Sequence, residues 1–89
     1  MSLSTAVVGT NLLPNEKQTV IANMTADITG EVYCGVIKSA ILAELPKALN
    51  TSQNPVTVSN MKNLGGNRAS CDIISPLEMA VEISFVAAK

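Results

Sequence analysis

A chain with one Phe, one Tyr and no Trp has to build its core from aliphatic side chains. Aromatic rings usually supply much of the buried area of a small domain. Val, Ile and Leu each bring less, and this sequence compensates by number, with 24 such residues among 89. Few charges offset them. Six Lys or Arg stand against seven Asp or Glu, for a net charge of −1. A chain this short buries roughly 60–65% of the surface its unfolded form exposes. Abundant aliphatic area with little charge to keep the outside wet therefore points to apolar surface buried between chains.

The same composition excludes several classes of function. Disordered chains are poor in apolar residues and rich in net charge, and this one is the reverse, so it is expected to fold as one domain. It lacks the positive excess that drives general nucleic-acid binding. No apolar run approaches the ~20 residues of a membrane helix. With no His in the sequence, Ser-His-Asp and Cys-His mechanisms are unavailable. The opening Met1-Ser2-Leu3-Ser4-Thr5 has no basic segment ahead of an apolar stretch, so a secretory signal is not expected. Cys34 and Cys71 are too few for a disulfide framework and read as reduced thiols in a cytoplasmic setting. The triplets Asn23-Met24-Thr25 and Asn50-Thr51-Ser52 are glycosylation acceptors only in a secreted chain.

The hydrophobic pattern gives an element order. Residues 1–14 read as an N-terminal arm or edge strand, and 15–89 as a single domain. From Thr19 to Ile28, Val20, Ala22, Met24, Ala26 and Ile28 alternate with mostly polar residues, the signature of a half-buried strand. Over 31–45 the spacing changes. Cys34, Ile37, Ile41, Leu45 and Ala48 recur at intervals of three and four, and Pro46 marks an end, so a long helix is predicted. Val56 to Asn63 reads as a strand, Gly65-Gly66 as a hairpin turn, and Ala69 to Ile74 as the return. In the last strand Met79, Val81, Ile83 and Phe85 form the apolar side. The predicted fold is therefore α+β, with one long helix packed on an antiparallel sheet of four to five strands in the order β-β-α-β-β-β.

The predicted helix supplies the main candidate surface. Val32, Gly35, Val36, Ser39, Ala40 and Ala43 fall on the side opposite its main apolar stripe, and the small residues among them allow close approach of another backbone. A helix apolar on two sides needs cover on both. One side suits the chain's own sheet and the other a second copy; an N-terminal arm folded back over it is the alternative. Gly65, Gly66 and Arg68 form a second candidate, a backbone nest for an anion, against the simpler reading as a hairpin turn. Cys34 and Cys71 read as core packing, with a disulfide or redox pair as the alternative. No metal site is expected, since a tetrahedral site needs about four ligands. Asp27 and Glu31 fit the electrostatics of a helix start. Glu78 and Glu82 lie roughly 13 Å apart on a strand, too far for paired acid–base work.

The sequence thus reads as a non-enzymatic, self-assembling structural protein without a cofactor, whose partners are copies of itself. A phage or virus virion component is one concrete form, which would place it in a virion rather than the cytoplasm. The alternative is a small intracellular binding module or inhibitor acting on another protein or a small anionic ligand. An extracellular adhesion-type domain is a third reading and needs a Cys34–Cys71 bond.

Overall fold

The computed structural model describes residues 2–41 and 55–89. Among the described residues there are six strands: β1 (Leu3–Leu12), β2 (Gln18–Asn23), β3 (Thr29–Ile41), β4 (Thr57–Gly65), β5 (Arg68–Ile74) and β6 (Met79–Ala88). They form two three-stranded antiparallel sheets, ordered β1-β6-β3 and β2-β5-β4. The architecture is all-β. The predicted α+β fold and its long helix are overturned, because Thr29–Ile41 is a strand paired along its length with β6. Residues 42–45 of the predicted helix, Ala43 among them, lie outside the described residues.

The cause of the mistaken helix is local. Val32, Cys34 and Val36 alternate as a strand does, opposite Ala87, Phe85 and Ile83 of β6. The register then slips between Val36 and Lys38, so that Ser39 faces Val81. Before the bulge even-numbered residues point inward, and after it odd-numbered ones do. The helical stripe is thus a coincidence of apolar spacing: Cys34 lies on the inner side, whereas Ile37 sits at the slip itself and is 58% exposed. Val, Ile, Tyr and Thr in this stretch favour a pleated surface over a helix. A second irregularity falls between Thr29 and Val32, where Gly30 has φ of 79°. That backbone suits a bulge and glycine, and the position is not a helix cap.

The core lies between the sheets. From the β1-β6-β3 sheet come Leu12, Val32, Met79, Val81, Ile83, Phe85 and Ala87, and from the other Val20, Ala22, Ala69, Cys71 and Ile73. Phe85 is the largest fully buried side chain and sits on β6, the central strand of its sheet. Met24 and Ile28 bury at the crossing between the sheets. That crossing segment is strapped at several points. Met24 N–H donates to the Asn67 carbonyl at 2.7 Å, Ile28 N–H to that of Gly66 at 2.9 Å, and Thr25 N–H to that of Thr5 at 3.1 Å.

Buried polar groups are matched. Ser4 Oγ donates to the Ala26 carbonyl at 2.7 Å and accepts from Ala26 N–H at 2.9 Å. Ser75 Oγ does the same with Leu77, at 2.9 Å and 3.0 Å. Among the described residues no buried side-chain nitrogen or oxygen lacks a partner.

With one buried ring at the centre of an aliphatic core, Phe85→Ala is expected to cost about 3–5 kcal/mol of unfolding free energy in a urea titration. Tyr33→Ala, at a ring that is 63% exposed, should cost less than about 1 kcal/mol.

Candidate functional site

Replacing the helix by a strand redistributes the first candidate surface. Val32 and Val36 point into the core, and the register puts Ser39 on that side as well, opposite Val81. Gly35 and Ala40 lie on the outer face, opposite Ser84 and Ala80. The six residues therefore share no single face, and Ala43 is outside the described residues.

In place of that helix side the structure presents the outer face of the β1-β6-β3 sheet. Register places Thr5, Val86 and Tyr33 in one row, Val7, Ser84 and Gly35 in the next, then Gly9, Glu82 and Lys38, then Asn11, Ala80 and Ala40. Glu82 and Lys38 are the only charged residues in these four rows, and they stand directly opposite one another. Leu3, Val7 and Tyr33 are 55–63% exposed. A shallow groove of about 440 Å³ crosses one end, between Gly9 and Asn11 on β1, Lys38 and Ala40 on β3, and Ala80 and Glu82 on β6. An outer sheet face that meets water is normally polar. This one is mixed: Val7, Val86, Gly9, Gly35, Ala40 and Ala80 stand beside Thr5, Tyr33, Ser84 and Asn11, with Glu82 and Lys38 as its charges.

The outer face of the β2-β5-β4 sheet is different in kind. Asp72 on β5 accepts from Thr19 Oγ1 at 2.7 Å and from Asn60 Nδ2 at 3.1 Å. Asn60 reaches it because its φ of 56° sits in the register slip between Ser59 and Lys62. Asn accepts this left-handed conformation better than most residues. The two hydrogen bonds hold the Asp72 carboxyl below the usual carboxylate range, with Lys17 and Lys62 adding smaller electrostatic pulls. The sequence reading missed Asp72. Its one signal was an acidic residue inside the run Cys71-Asp72-Ile73-Ile74.

Cys34 and Cys71 come from opposite sheets and meet in the interior as free thiols. The contact with Cys71, aided by burial, pushes the Cys34 thiol well above the ordinary thiol range. The same contact pulls the Cys71 thiol in the opposite direction. This is a packed, protonated pair.

The Gly65-Gly66-Arg68 candidate is a working hairpin turn. Both glycines have positive φ, 96° and 59°, as the tight turn requires. Gly65 N–H already donates to Asn63 Oδ1 at 2.8 Å, and the Gly66 and Asn67 carbonyls hold the crossing segment. Arg68 is exposed beside it. The acidic pairs separate: Asp27 lies in the crossing segment, Glu31 accepts from the Tyr33 hydroxyl at 3.2 Å, and Glu78 and Glu82 flank and enter β6. Among the described residues no three His, Cys, Asp or Glu side chains are grouped to hold a metal ion, and no helix is long and apolar enough to cross a membrane.

Because the Asp72 carboxyl is lowered in the folded state, the stability it confers is present above the unfolded value, about 3.9, and disappears as pH falls through the folded value. Acid titration of stability should therefore be less steep below about pH 4 for Asp72→Asn than for the wild type. The native protein at pH 7 should leave both thiols unmodified by a disulfide reagent over minutes and yield two after denaturation, read by thiol absorbance.

No protein-family model, curated protein or solved structure matches this chain.

Proposed function

We propose that this protein is a non-enzymatic structural subunit that assembles with copies of itself. The observation that carries the reading is the outer face of the β1-β6-β3 sheet, where four successive rows of residues hold only the Glu82–Lys38 charge pair. Leu3, Val7 and Tyr33 stand exposed on that side of the molecule. A sheet face with few charges and exposed apolar side chains suits packing against a neighbour. A component of a phage or virus particle is a concrete form of this reading, since such subunits are covered by copies of themselves on several sides.

The anion-binding alternative through Gly65, Gly66 and Arg68 has less support. A nest needs free amides, and Gly65 N–H is already bonded to Asn63 Oδ1.

Size-exclusion chromatography with light scattering tests the proposal. The expected result is a particle at least twice the 9.3 kDa chain mass, growing with concentration. A 9.3 kDa species persisting at millimolar concentration overturns it.

A further inference from the structure

We propose that the free edge of β1 pairs antiparallel with the same edge of a second copy, about a two-fold axis through Gly9. The inference rests on the self-assembly reading and names the surface and the register.

Some backbone groups of β1 are already used. Thr5 lies opposite Val86 of β6, yet its N–H donates to Thr25 Oγ1 at 3.2 Å and its carbonyl accepts from Thr25 N–H at 3.1 Å. Thr25 is not part of β6, so the backbone groups of Thr5 point away from that strand. In an antiparallel ladder this direction alternates along the chain. The backbone groups of Val7, Gly9 and Asn11 therefore point to the same edge, where none of them has a partner among the described residues. The free run is bounded on one side by Thr25 on Thr5 and on the other by the end of β1 at Leu12. Its centre is Gly9.

Symmetry then fixes the pairing. A two-fold interface opposes a strand to itself. With Gly9 facing its own copy, Val7 faces the partner's Asn11 and Asn11 the partner's Val7. Each pair exchanges two backbone hydrogen bonds, giving a ladder closed at both ends by Thr25. The next pair outward would set Thr5 against Leu13, which lies beyond β1 and whose counterpart Thr5 is already bonded. Every open donor and acceptor of the run finds a match.

Charge and shape agree. β1 reads LSTAVVGTNL, with no charged residue, so a strand laid against its own copy meets no like-charge contact. The nearest formal charge across the register is Glu82, one strand in on each side, and the two copies of it would be roughly 14 Å apart, beyond the Debye length of ~10 Å. Gly9 at the axis has no side chain to clash with its symmetry mate. The other three edges are less suited. β3 and β4 each carry two register irregularities and at least one charge, both common ways of blunting an edge, and β2 has only 6 residues against 10 in β1. The pairing would fuse two β1-β6-β3 sheets into one continuous six-stranded sheet.

Amide hydrogen exchange on the wild-type protein at low and high concentration, together with Val7→Pro, tests this. Val7 N–H faces away from β6, so proline there removes a donor from the free edge without breaking the existing sheet. The expected result is slower exchange at Val7, Gly9 and Asn11 as the particle forms, and association weakened by at least about tenfold in Val7→Pro with an unchanged circular dichroism spectrum. An assembled wild-type protein whose amides at 7, 9 and 11 exchange as fast as in the monomer overturns the edge pairing and leaves self-assembly standing. So does a folded Val7→Pro protein that assembles as tightly as the wild type. A chain that stays monomeric at every concentration overturns both. The exchange measurement needs no substitution, so it decides the question even if proline perturbs folding.

Discussion

The structure depends on two central strands facing each other across an aliphatic core. β5 and β6 are each the middle strand of a three-stranded sheet, and each buries a row of side chains: Ala69, Cys71 and Ile73 from one, and Met79, Val81, Ile83, Phe85 and Ala87 from the other. Without a Trp, and with Tyr33 outside, Phe85 is the one ring in that layer. Burial of roughly 25 cal/mol per Å² then has to come from many short side chains in register. This makes correct pairing of the two middle strands the condition for every other contact. A one-residue slip in either would turn its whole inward row to solvent.

Polar groups follow the same logic. The chain crosses between the two sheets, and each crossing carries backbone groups past the core's rim. The 24–28 crossing resolves this by bonding to the hairpin turn at Gly66 and Asn67 and to β1 through Ser4 and Thr5. These hydrogen bonds contribute modestly when made, and leaving their groups buried and unpaired would cost about 1–3 kcal/mol each. They also fix which of the β1 backbone groups remain open.

Much of the strand pattern was legible in the sequence. The alternation of Val20 and Ala22, the Gly65-Gly66 turn, and Met79 through Phe85 all report a period of two with clean boundaries, and strands occur there. The fold class was not legible, because Cys34, Ile37 and Ile41 fall at helical spacing by sequence, while the bulge at residue 37 breaks the alternation that would have marked a strand. A bulge leaves no fixed residue signature, whereas glycine turns do. The β-branched content of Thr29–Ile41 was the available counter-signal. The candidate helix surface failed with the helix, since the helical spacing that grouped Gly35 with Ser39 puts them on opposite faces of a bulged strand. Asp72 was hidden for a related reason. Its partner Asn60 reaches it only through a left-handed residue in an irregular β4, which no spacing rule in the sequence reveals.

Among the described residues, four of the six strands are edge strands, so edges govern behaviour more than in larger sheets. Natural sheets guard edges with charges, bulges, short strands or covering segments. Here the guards are uneven. β3 and β4 are bulged and charged, β2 is short, and Thr25 covers β1 at Thr5. The remaining stretch of β1 is long, regular and uncharged, and it borders a sheet face that itself carries a single charge pair. A long open edge with no guard would favour indiscriminate aggregation. A run of three open positions that is symmetric about a glycine and stopped at both ends would limit pairing at this edge to one two-fold geometry.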